Sequence, residues 1–84
     1  WAAKEAFVKA LGTGFRKGIF WKDISVLNNL NGKPELVIRG QAKVCLNSII
    51  PADKSPIIHI SISDEKEIVN AIVIIEARDL NHLN

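Results

Sequence analysis

The chain has no methionine and no tyrosine, and it holds one cysteine, two histidines and three prolines in 84 residues. A single cysteine, Cys45, excludes an internal disulfide framework and a multi-cysteine zinc site, and it favours a reducing, cytoplasmic setting. The two histidines, His59 and His82, stand 23 positions apart with no second ligand at close spacing, so no metal site is read and no cofactor is called for. No apolar run reaches the ~18 residues that a membrane span needs. The first stretch carries Lys4, Glu5 and Lys9, which a signal peptide's apolar centre would exclude. The sequence opens on Trp1, and the expectation is one domain over residues 1–84, a fragment or processed part of a longer chain.

What the chain has in quantity is β-branched residues and unevenly spread charge. Hydrophobic residues make up 48% and charged residues 24%, the balance of a globular domain with little room for a deep pocket. Residues 1–43 carry eight Lys/Arg against three acids, whereas residues 44–84 carry three against six. That polarity can steer a partner, and it also serves simple solubility.

The clearest pattern lies near the carboxyl end. Residues 56–63 alternate as a strand, residues 64–67 form a charged break, and residues 68–77 are a second β-branched run. This predicts a β-hairpin. A four-residue turn pairs Ile62 with Val69, Ile60 with Ala71 and Ile58 with Val73 on a core face. The opposite face receives Ile57, Ile68, Ile72 and Ile74, so both sides are apolar, and one short helix cannot cover both.

Upstream, Ala3, Phe7, Ala10 and Leu11 share one face of a helix over residues 1–11, which Gly12 ends. The run Gly12-Thr13-Gly14-Phe15-Arg16-Lys17-Gly18 has the glycines of a phosphate cradle but follows a helix instead of opening one, and it reads as a turn with a basic tip. Residues 19–30 favour a strand leading into Asn31-Gly32, although Phe20, Ile24, Leu27 and Leu30 also fit helical spacing. From Leu36 to Leu46 apolar residues fall on even positions, the alternation of a strand interrupted by Gly40. The fold class expected is α+β, one N-terminal helix packed on a four-stranded antiparallel meander sheet. The alternative is two helices followed by a three-stranded antiparallel sheet.

No motif fixes an activity. The apolar hairpin face, Ile57, Ile68, Ile72 and Ile74, makes a non-enzymatic assembly domain the first expectation, one that self-associates or docks on its parent chain. The second is a nucleic-acid-binding or small RNA-cleaving domain using Arg16, Lys17, Arg39 and Lys43, with Phe15 and Trp21 to stack on bases. An RNA-cleaving version would add His59, Glu76 or Arg78. A third constellation, Cys45 with Asn47, His59, Ser61 and Asn70 on one sheet face, has the parts of a thiol nucleophile, but Cys45 reads better as an apolar filler.

Overall fold

The computed structural model describes residues 2–15, 18, 19 and 21–80. Helix α1 (Ala2–Leu11) buries Ala3, Phe7, Val8 and Leu11, the i, i+4, i+5 and i+8 positions of one face. Ala10, expected on that face, is exposed, and Val8, expected at its margin, is buried. Gly12 ends the helix at φ +86°, where the amides of Gly12, Thr13 and Gly14 all turn back onto the Val8 carbonyl.

After a 3-10 turn at Trp21–Asp23, strands β1 (Ile24–Asn28) and β2 (Pro34–Ile38) form an antiparallel hairpin. Its loop is set by Asn29, whose side-chain oxygen accepts from the amides of Asn31 and Lys33 at 2.8 and 3.0 Å, and by Gly32 at φ +80°. The helical spacing of Ile24, Leu27 and Leu30 is therefore not used, and Leu30 stands free at the loop.

Residues 40–48 depart from the expectation. They form helix α2 (Gly40–Ser48), not the continuation of the strand that begins near Leu36. Ala42, Cys45 and Leu46 are its buried residues, an i, i+3, i+4 set, while Val44 faces out. The even-position pattern was shared by two periods over so short a window, and Gln41, Ala42, Lys43 and Leu46 are good helix formers. Gly40 is the switch, because at φ +56° it admits a backbone turn that a strand does not make. The buried Asp23 carboxylate occupies the space where a Gly40 side chain would begin, and the Asp23 carbonyl accepts the Arg39 amide at 2.8 Å.

Strands β3 (Lys54–Glu65) and β4 (Ile68–Asp79) form the second hairpin. The turn is Lys66-Glu67, with Lys66 at φ +55°, so it is two residues shorter than the expected four. Ile62 faces Ala71, Ile60 faces Val73 and Ile58 faces Ile75. A slip of two preserves every face, which is why the inward set is still Ile58, Ile60, Ile62, Ala71 and Val73.

The four strands make two separate two-stranded sheets, so the single meander sheet is corrected, as is the alternative in which both helices come first. The coarser α+β class with antiparallel pairing holds. One cluster of buried side chains joins the elements: Phe7, Val8, Leu11, Ile19, Ile24, Ala42, Cys45 and Leu46, with Ile58, Val73 and Ile75 of the hairpin against it. Only the base of the hairpin reaches this core. Ile62 and Val69 on the inward face are exposed, so the tip stands out with both faces open.

Candidate functional site

Two surfaces gather chemistry. The first is the corner where α1 meets the glycine loop. Lys4 donates to the Trp21 carbonyl at 3.2 Å and its ammonium lies 4.2 Å from the centre of the Trp21 ring. The Phe15 ring stands 5.6 Å from Trp21 on centroids, so one indole joins helix and loop. Glu5 is half-buried on the same helix, one turn before the exposed Lys9, and makes no ion pair or hydrogen bond among the described residues. Gly18, at the return of the loop, approaches the Gln41 side chain of α2. Among the described residues this corner thus gathers one cation and two aromatic rings.

The second surface is the outward face of the β3–β4 hairpin. His59 Nε2 lies 2.8 Å from Glu76 Oε1, and Arg78 grips the same carboxylate through Nη2 at 3.0 Å and Nε at 3.3 Å. Hydrogen bonds from Arg78 first and His59 second hold the Glu76 carboxyl down at about 2. Beyond them Ile68, Ile72 and Ile74 are 62%, 64% and 59% exposed, and Ile57 is half-buried. Between the hairpins runs an open groove of about 650 Å³, with Leu36 and Val37 on β2 and Ile58, Ile60 and Ile62 on β3. Strands β2 and β3 pair on one side only, so this groove has backbone edges open to an extended chain.

The sequence-expected sites fare differently. Arg16 and Lys17 lie outside the described residues. Arg39 spends its guanidinium on the Lys22 carbonyl at 3.1 Å and the Ser25 hydroxyl at 2.6 Å, locking the start of α2 to β1. Lys43 is exposed one turn further along α2. The thiol constellation is not assembled, because Cys45 is buried in the helical core while His59 faces outward on the hairpin. His59, Glu76 and Arg78 do come together, which the sequence reading left open. The signal was available in the parity of their positions, but only the two-residue turn makes His59 a diagonal neighbour of Glu76. Among the described residues no group of three or more His, Cys, Asp or Glu is spaced to hold a metal ion, and no helix is long and apolar enough to cross a membrane.

Comparison with known proteins settles the family. A sequence profile of the 4'-phosphopantetheinyl transferase superfamily matches residues 1–68, which takes in α1, the glycine loop, the first hairpin, α2 and β3. A holo-(acyl-carrier-protein) synthase of Rhizobium leguminosarum is 51% identical over 76 residues, covering 90% of this chain and 57% of that protein. Its counterpart in a Chelativorans species is 50% identical over the same length, and one in a Ruegeria species is 46% identical over 80 residues, 56% of that protein. The chain thus spans a little over half the length of the curated relatives it matches. These relatives overturn both leading expectations of function, the non-enzymatic assembly domain and the nucleic-acid-binding or RNA-cleaving domain, since they are named as enzymes of group transfer. An apolar face and a few cations are common to many surfaces and did not select between classes. The chain belongs to the 4'-phosphopantetheinyl transferase superfamily.

Proposed function

We propose that this chain forms part of an enzyme that loads a 4'-phosphopantetheinyl group onto an acyl carrier protein, as its relatives' name states for them. The observation that carries the reading is identity near one half over nine-tenths of the chain to several holo-(acyl-carrier-protein) synthases. Attaching such a group means forming a phosphodiester. A hydroxyl oxygen of the carrier attacks the phosphorus, the P–O bond to the donor's leaving phosphate breaks, and the hydroxyl proton passes to a base. Transfer of this kind is served by cations that hold the donor's phosphates and by placement of the attacking oxygen, more than by covalent chemistry of the protein.

The α1 corner is the part of this chain suited to those tasks. Lys9 and Lys22 are exposed there, Arg16 and Lys17 add charge in the connecting sequence, and Trp21 offers a ring face to a nucleotide base. Glu5, half-buried and unpaired among the described residues, is the group we assign to receive the proton. Coenzyme A, which carries the pantetheine arm on a pyrophosphate, is the donor to try. Titrating it into the chain while following tryptophan fluorescence should give saturable quenching that Lys9→Ala and Trp21→Leu weaken. A folded chain with no response at millimolar donor would remove this corner from the reading.

The outward hairpin face has a separate role in this proposal. Copies associate, or the chain meets the rest of its longer protein, through Ile57, Ile68, Ile72 and Ile74. Support comes from the exposure of three of the four side chains in a single copy. Residues 1–84 act as one domain around the shared core, and the free buried thiol of Cys45 suits the reducing cytoplasm.

A further inference from the structure

The chain holds seven asparagines, and one of them, Asn31, is followed by glycine. An asparagine loses ammonia when the next residue's backbone nitrogen attacks its side-chain carbon, and a glycine there leaves the path clear because it has no Cβ. Both residues are exposed in the loop between β1 and β2, and no atom lies within 4 Å of where a Gly32 Cβ would stand. Access is therefore open. The backbone is not free, however, because Asn29 takes up the loop's amides. Its carbonyl accepts from the Gly32 amide at 2.9 Å, and its side-chain oxygen accepts from the Asn31 and Lys33 amides at 2.8 and 3.0 Å. Its own amide donates to the Lys33 carbonyl at 2.7 Å and closes the turn.

We infer that Asn31 is a site of spontaneous deamidation and that Asn29 is the clamp that sets its rate. The reaction begins when the Gly32 amide gives its proton to solvent hydroxide. That nitrogen then bonds to Asn31 Cγ while the Cγ–Nδ2 bond breaks, ammonia leaves with a proton taken from water, and a cyclic imide remains. Water opens the ring at either carbonyl, giving an aspartate or an isoaspartate whose main chain runs through the former side chain. One water is consumed and one ammonia released. The clamp opposes the first step directly. A hydrogen bond made by the protonated form of a group makes that proton harder to remove, and the bare nitrogen would face the Asn29 carbonyl oxygen across the same 2.9 Å. Holding the Asn31 and Lys33 amides on one oxygen also fixes the backbone on both sides of the peptide that must turn for the attack. The products bear on the fold. Either one places a negative charge next to Lys33, and the isoaspartate adds a backbone atom to a turn that Asn29 and Lys33 close at 2.7 Å, so the β1–β2 hairpin loosens as the chain ages.

Incubating the 84-residue chain at mildly alkaline pH, folded and in guanidinium chloride, tests this, with peptide mapping by mass spectrometry to locate the gain in mass from amide to acid. Conversion at Asn31 should run about tenfold or more faster in the denaturant, where several hydrogen bonds are lost and each is worth a factor of roughly five. Folded Asn29→Ala should convert roughly fivefold or more faster than the native chain. Asn29→Asp keeps an acceptor oxygen and should stay near the native rate. Circular dichroism confirms that each variant is folded. Equal rates in the folded and denatured chain, or a folded Asn29→Ala chain that converts at the native rate, would overturn the clamp and leave the site. An Asn31 that stays intact in the denaturant would remove the site and the clamp with it. Should Asn29→Ala fail to fold, the denaturant comparison and Asn29→Asp still decide, because an Asn29→Asp chain that is folded yet converts at the denatured rate also overturns the clamp.

Discussion

Replacing Gly40 by alanine attacks the junction that made residues 40–48 a helix. Two costs combine. At φ +56° a side chain is held in the left-handed region, worth about 1–2 kcal/mol for a non-glycine residue. The new Cβ would also stand 2.7 Å from Asp23 Oδ1 and 3.1 Å from Asp23 Cγ, closer than such atoms pack. Asp23 is buried, so relieving the contact means moving a packed carboxylate, and overpacking of this sort costs roughly 1–3 kcal/mol. The sum is about 2–5 kcal/mol, a large share of the ~5–15 kcal/mol that holds a typical domain together. Urea unfolding followed by circular dichroism reads it, and with a slope of about 1 kcal/mol/M the midpoint should fall by ~2 M or more. Gly32→Ala is the control, because Gly32 has a similar positive φ with no atom within 4 Å of the added carbon. It should lose only the conformational part. A second check is Asp23→Ala with Gly40→Ala, which should cost less than the two singles added together, since each removes one side of the same clash. If Gly40→Ala and Gly32→Ala shift the midpoint equally, the close approach of Asp23 does not govern the start of α2.

Other outcomes follow from the same structure. Phe7→Ala, which empties the most buried large side chain of α1, should cost about 3–5 kcal/mol in urea unfolding, and a loss under 1 kcal/mol would place the core elsewhere. The Glu76 carboxyl is held at about 2, below its ordinary 4.5, so its contribution to stability is present above the unfolded value and lost as pH falls through the folded one. Acid titration of unfolding should therefore show a step between about pH 4.5 and 2 that Glu76→Gln removes. Lys54 is shifted the other way, raised by its hydrogen bond to Asp79, so that pair should stabilise the hairpin up to its ordinary 10.5 and fade at higher pH, and Asp79→Asn should flatten the alkaline limb. Cys45→Ala should lower stability modestly and leave the proposed phosphopantetheinyl transfer unchanged in a chimera that supplies the rest of a relative, and loss of transfer by a folded Cys45→Ala chimera would revive the thiol.

Much of the backbone could be read from local pattern, and the errors share one cause. Phe7 and Leu11 announced α1 because a helix face needs several matching positions and Gly12 supplied its stop. Asn31-Gly32 marked a real reversal. Between Gly40 and Ser48, however, nine residues fit a period of two and a period near 3.6 about equally, and what decided was the contact of Gly40 with Asp23, seventeen residues away. The hairpin faces were legible through parity, but the register hung on whether Lys66 accepts a positive φ, which no pattern of hydrophobicity records. Function was less visible still. Lys4, Phe15 and Trp21 form no spaced motif, and their contact arises only when α1, the glycine loop and the 3-10 turn fold together. The cations singled out instead were partly structural, as Arg39 shows by bonding Lys22 and Ser25.

The most direct measurement exchanges this chain into a relative. The 76 matched residues of the Rhizobium leguminosarum holo-(acyl-carrier-protein) synthase are replaced by the corresponding residues of this chain, and the chimera is incubated with coenzyme A and an acyl carrier protein lacking its prosthetic group. Mass spectrometry of the carrier should show the gain of one phosphopantetheinyl group, abolished by Glu5→Gln and restored in the unsubstituted chimera. A chimera that folds, binds the carrier and leaves its mass unchanged would contradict the account.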